Sequence, residues 1–193
     1  MRFPLIFISS VALCSFHAEA QDPAAQDREI KAIIDFLIEN GLSQDQGPYV
    51  FDQEMITSSG FPDKSLPKEI IEKVPSSLAT DFLRKNSTPS QLPAALISRF
   101  PIHVFTKKDT SLYFPDNSDF DKDWDHFYKD YPHSWGRHGI SHVGFSKDGH
   151  YAMICFETMY ASLGGECSIY VLKWNPKSAH WDATDLKFNL WIA

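Results

Sequence analysis

Residues 139–181, GISHVGFSKDGHYAMICFETMYASLGGECSIYVLKWNPKSAHW, decide the fold of this chain. They read as three consecutive β-strands joined by two hairpins. Ser146-Lys147-Asp148-Gly149 is turn chemistry, because Asp tolerates a tight turn and Gly supplies a positive φ without steric cost. Leu163-Gly164-Gly165 marks the second hairpin, and Asn175-Pro176-Lys177-Ser178 closes the third strand. The middle run, Tyr151-Ala152-Met153-Ile154-Cys155-Phe156, is apolar at consecutive positions. Such a run suits the centre of a sheet with both faces covered.

Outward from this core, residues 184–192 alternate Leu186, Phe188, Leu190 and Ile192 and read as a last strand. Upstream, residues 27–40 place Ile30, Ile33, Ile34, Leu37 and Ile38 on one helical stripe, with Gly41 as the stop. Tyr49-Val50-Phe51 reads as a short strand after Gly47-Pro48, and 58–67 as a loop. Residues 66–74 and 77–85 read as short helices, and 102–105 as an edge strand behind Pro101. Residues 119–131 put Phe120, Trp124, Phe127, Tyr128 and Tyr131 on one helical face, which Pro132 ends. The expectation is a single α+β domain over 21–193. In it an antiparallel meander from 139–192 is covered by the N-terminal helices, because turns of two to five residues join antiparallel neighbours.

The first twenty residues predict export. Arg2 precedes an apolar stretch over 3–16, and Ala18-Glu19-Ala20 sets small residues at a cleavage point. The apolar stretch is shorter than the roughly 20 residues of a spanning helix, so no membrane span is expected after cleavage. Leu13 before Cys14 is too large for a lipidation site. The expected compartment is the periplasm or the medium, where disulfides persist. Cys155 and Cys167 lie on neighbouring strands of one hairpin, and the sequence leaves two options open. They are a disulfide or two small hydrophobes in the core.

The net charge of −7 and the absence of a basic run argue against nucleic acid as a partner. Aromatic residues make up 14% of the chain, and Trp135, Tyr160, Trp174 and Trp181 fall near turns, where they offer a binding surface. No cofactor or metal set emerges. Asp119-x-Asp121-x-Asp123 resembles a calcium loop, but Trp124 stands where the loop needs Gly, and carboxylates at a helix start have the macrodipole as sufficient cause. His138 and His142 on a strand would stand about 13 Å apart, too far to share one ion. Ser141 lacks the spacing of a nucleophile elbow, and Ser65-x-x-Lys68 lacks partner motifs. Glu157 and Glu166 flank the second hairpin and form a candidate carboxylate pair for acid–base work.

Asp81-Phe82 with Lys85-Asn86, then Trp124 with Phe127-Tyr128 and Tyr131-Pro132, then Gly139-Ile140-Ser141-x-Val143-Gly144-Phe145 form an ordered series. Ala152, Gly164-Gly165, Trp181 and Trp191 continue it. The series resembles a loosely defined family of uncharacterised exported bacterial proteins without assigned activity. The resemblance implies a bacterial envelope protein and transfers no catalytic residue. The expected function is a non-catalytic binding or interaction module with an envelope or extracellular partner. The alternatives are a hydrolase of envelope or extracellular polymers, and an inhibitor or accessory subunit of a secreted enzyme. A hydrolase requires two or more of His138, His142, Glu157 and Glu166 to converge in a pocket.

Overall fold

The computed structural model describes residues 23–43, 47–61 and 65–193. The expected signal peptide, 1–20, lies outside the described residues. The chain has both helices and a seven-stranded sheet, and its C-terminal half carries most of the strands. In chain order the helices are α1 (Pro23–Glu39), α2 (Lys68–Ile71), α3 (Ser76–Lys85), α4 (Ala94–Arg99), α5 (Lys107–Tyr113) and α6 (Phe120–Asp130). The strands are β1 (Tyr49–Asp52), β2 (Ile102–Phe105), β3 (Arg137–Ile140), β4 (Gly144–Phe145), β5 (Tyr151–Ala161), β6 (Gly164–Asn175) and β7 (His180–Ile192).

The strand order is β2-β1-β3-β5-β6-β7, with β4 also paired to β5. The antiparallel meander expected from 139–192 is present, with Cys155 opposite Ile169 and Leu172 opposite Ala183. Two features differ from expectation. The sheet is mixed, because β1 runs parallel to both β2 and β3. The first core strand is also broken into β3 and β4. At the break, Ser141 N–H donates to Cys155 O at 3.0 Å, and Ser141 Oγ accepts from Cys155 N–H at 2.8 Å. A hydroxyl thus stands in for a missing ladder group.

The central strand behaves as its apolar run requires. Ala152, Met153, Ile154 and Cys155 are fully buried and divide between two clusters. Ile154 and Phe156 join Ile33, Phe36 and Leu37 of α1, and Phe36 meets the Phe156 ring edge-on at 5.5 Å. Met153 and Cys155 join Leu78, Ala79 and Phe82 of α3. A Cβ on Gly144 would fall 2.5 Å from Phe82 Cβ, so only glycine lets α3 come this close to β4. Phe105, Tyr113, Trp124 and Phe127 form a third cluster around Val50. The α1 stripe is turned slightly from its sequence reading, for Phe36 is buried and Ile38 is 48% exposed.

Helices α4 and α5 went unread in the sequence. Each is a short helix following a strongly local signal, Pro93 at the start of α4 and a Thr106/Asp109 capping box at α5. Ile154→Asp is expected to destabilise the chain by several kcal/mol, because it buries an unpaired carboxylate. Urea denaturation of the purified variant measures the loss, and an unchanged midpoint would refute this account of β5.

Candidate functional site

Four residues of helix advance about 6 Å, and two residues of strand about 6.8 Å. This near-match lets Asp35 and Glu39 of α1 serve alternate amides on the outer edge of β7. Asp35 Oδ2 accepts from Trp181 N–H at 2.9 Å, and Glu39 Oε2 from Ala183 N–H at 2.8 Å. The same helix turns Glu29 toward the β3–β4 break, where Oε1 accepts from Val143 N–H at 3.0 Å. From α3, Asp81 accepts from Phe145 N–H at 2.9 Å, and Asn86 bonds both the N–H and the carbonyl of His142.

With α1 fixed in this way, a cleft of about 590 Å³ opens beside its first turns. Asp27, Arg28 and Lys31 line it from α1, Asp148, Gly149 and His150 from the β4–β5 turn, and Trp174 and Trp181 from β6 and β7. The two indoles stand 5.3 Å apart, centroid to centroid, across a cross-strand pair. Arg28 lies 4.2 Å over the Phe145 ring and donates to Gly149 O at 2.7 Å, so its guanidinium braces the turn. Trp181 is 1% exposed, and among the described residues its indole N–H finds no acceptor.

The structure brings together two of the four aromatics named from sequence. Trp135 and Tyr160 lie at the opposite end of the sheet, at 62% and 48% exposure, near the β5–β6 hairpin. The length of β5, at about 3.3 Å per residue, separates them from Trp174 and Trp181 by roughly 30 Å. No single small ligand spans that distance.

His138, His142, Glu157 and Glu166 have separate sets of partners. His138 is buried against Phe51 and Phe156 and bonds Thr158 Oγ1 at 3.0 Å; burial lowers its pKa to about 4. Glu166 pairs with Lys187 at 3.2 Å on the surface. Glu157 is raised by burial and then by the charge on Asp52, against the pull of Arg137. Burial raises Asp52 also, although Arg137 Nε stands 2.8 Å away. Ser141 is buried, with its hydroxyl committed to Cys155 N–H and His142 O. Each carboxylate of the acidic run at α6 has a partner, Asp119 in Lys122, Asp123 in Ser118 and Asp121 in Ser162 of the β5–β6 turn. Cys155 and Cys167 are buried thiols with Sγ atoms 3.2 Å apart, and the S–H···S hydrogen bond between them, followed by burial, raises the Cys155 pKa.

His142 takes part in an arrangement that spacing alone did not suggest. Its Nδ1 stands 2.7 Å from Glu29 Oε1, and its Nε2 2.6 Å from Ser90 Oγ. Burial would raise the Glu29 carboxyl, but the bond to His142, the charges of Lys85 and His142 and the Val143 amide hold it below the ordinary value. An ionised carboxylate only accepts, so a neutral His142 carries its proton on Nδ1 and offers its Nε2 lone pair to the Ser90 hydroxyl. Glu29, Ser90 and His142 come from an N-terminal helix, a loop and the strand break. No local pattern links them, and the one early signal was a histidine beside the glycine-rich break. Comparisons with family models, with characterised proteins and with solved structures find no match to this chain.

Proposed function

We propose that the protein is an exported bacterial binding module that captures a saccharide ring of an envelope or extracellular polymer in the cleft between α1 and the β6–β7 hairpin. The N-terminal helices are read as the cover of the meander, with α1 serving also as one wall of the cleft. The observation that carries the proposal is the half-buried Trp174 ring on the wall of a cleft of about 590 Å³, backed by the buried Trp181 ring at 5.3 Å. The Trp174 indole face suits the C–H face of a sugar ring, and Asp27, Asp148, His150 and Lys31 at the walls suit its hydroxyls.

Export itself rests on the residues at 1–20 and on the resemblance to exported bacterial proteins. In an oxidising compartment Cys155 and Cys167 would lose two protons and two electrons to a disulfide oxidant and become joined. Hydrolysis is a second reading, favoured by Ser90–His142–Glu29 alone. There Ser90 Oγ would attack an acyl carbon as His142 Nε2 takes the hydroxyl proton and returns it to the departing alcohol or amine, water would then cleave the acyl–Ser90 ester by the same base, and Glu29 would stabilise the imidazolium.

Titration of the purified protein with soluble envelope glycan fragments, followed by tryptophan fluorescence, is expected to saturate. Trp174→Ala is expected to weaken the affinity by about tenfold or more, and a signal that never saturates would count decisively against capture. Peptide mapping of exported, unreduced protein is expected to find Cys155 linked to Cys167; two free thiols would rule the bond out. For the hydrolytic reading, a fluorophosphonate probe is expected to phosphonylate Ser90 with loss of fluoride, about 10³-fold or more slowly in Glu29→Gln. Folded protein that stays unlabelled at Ser90 ends that reading and leaves the cleft untouched.

A further inference from the structure

Where the end of α1 passes the start of β7, Glu39, His180 and Asp182 each direct one ligand atom into a common space, all three within 4.8 Å of one another. His180 Nδ1 stands 3.2 Å from Asp182 Oδ1 and 3.8 Å from Glu39 Oε1. The other polar atom of each side chain has a protein partner. Glu39 Oε2 accepts from Ala183 N–H at 2.8 Å, and Asp182 Oδ2 from Asn175 Nδ2 at 2.9 Å. His180 Nε2 faces the buried carboxylate of Asp35 at 3.5 Å. Asp35 is itself fixed by Lys31 and by the amide of Trp181.

Hydrogen bonding within the protein accounts for only part of this convergence: His180 Nδ1 and Asp182 Oδ1 lie at hydrogen-bond distance, 3.2 Å, while Glu39 Oε1 stands outside it at 3.8 Å. A protonated Nδ1 has one hydrogen to give, yet two carboxylate oxygens approach it. If His180 is neutral with its proton on Nε2 toward Asp35, an imidazole lone pair faces two anionic oxygens. A cation at the common point satisfies all three atoms.

We propose that Glu39, His180 and Asp182 bind a divalent transition-metal ion of the zinc class. Two ligands about 2.1 Å from a tetrahedral ion stand about 3.4 Å apart. The spacings of 3.2 and 3.8 Å around His180 bracket that separation. One imidazole nitrogen with two carboxylate oxygens suits zinc, manganese or cobalt over calcium and magnesium, which prefer oxygen alone. A carboxylate behind the imidazole, an amide behind Glu39 and Asn175 behind Asp182 form the outer set of contacts that orients metal ligands. Three protein ligands leave a position open to solvent or to an oxygen of a bound molecule. Asp182 and Trp174 also line a groove of about 370 Å³, and Trp174 reaches the cleft on its other side. The ion would therefore lie beside the cleft, at a site distinct from it.

The test is calorimetric titration of the chelator-stripped full chain with Zn(II) alone. One saturable site is expected, weakened at least about tenfold in both His180→Ala and the near-isosteric Asp182→Asn, and retained in Glu166→Gln, an exposed carboxylate elsewhere. Co(II) titration is expected to give a visible ligand-field band that His180→Ala removes, a signature that a merely structural histidine would not produce. Absence of saturable Zn(II) binding overturns the proposal, as does binding unchanged in the two ligand variants.

Discussion

Backbone amides that the sheet leaves unpaired are the constraint on which this structure turns. A buried amide without an acceptor costs about 1–3 kcal/mol, and the meander leaves amides without strand partners, from the buried Trp181 to the exposed Ala183, in two places. One is the outer edge of β7, and the other is the break between β3 and β4. Neither receives another strand. Side-chain acceptors from α1 and α3 fill both: Asp35 and Glu39 at the edge, Glu29, Asp81 and Asn86 at the break. The carboxylates on the edge also keep the first part of β7 from offering itself to another chain's strand.

This solution concentrates charge along one helix. Glu29, Asp35 and Glu39 all lie on α1, and each supports a different group of functional interest. Glu29 orients His142 toward Ser90, Asp35 holds Trp181 in the cleft wall, and Glu39 faces His180. Packing and chemistry are therefore hard to separate in α1. A substitution there moves a backbone contact together with a site, so isosteric changes such as Glu29→Gln are the informative ones.

The aromatic surplus is divided along the sheet. Phe105, Tyr113, Phe114, Trp124 and Phe127 pack in a dense cluster under α5 and α6. Trp174 and Trp181 form one wall of the cleft, while Trp135 and Tyr160 stand exposed at the far end. The same residue type therefore serves core, cleft and free surface.

The sequence by itself determined the meander, the buried centre at β5 and helices read over 27–40, 77–85 and 119–131, which the structure places at Pro23–Glu39, Ser76–Lys85 and Phe120–Asp130. Each of these is a local matter, since turn residues, an apolar run and helical periodicity act within a few neighbours. It placed Cys155 and Cys167 on neighbouring strands of one hairpin, and only the tertiary structure brought their Sγ atoms to 3.2 Å, because that approach depends on register. Only the tertiary structure decided that β1 and β2 join the sheet in parallel, for parallel pairing needs long crossovers that leave no local mark. Only it placed Ser90, His142 and Glu29 in one line, and Glu39 beside His180 and Asp182. Those groups are separated by up to 143 residues of chain in the sequence and meet because α1 must supply acceptors to amides that no strand reaches. Spacing rules read one element at a time, so chemistry built across three elements stays invisible until the elements are packed.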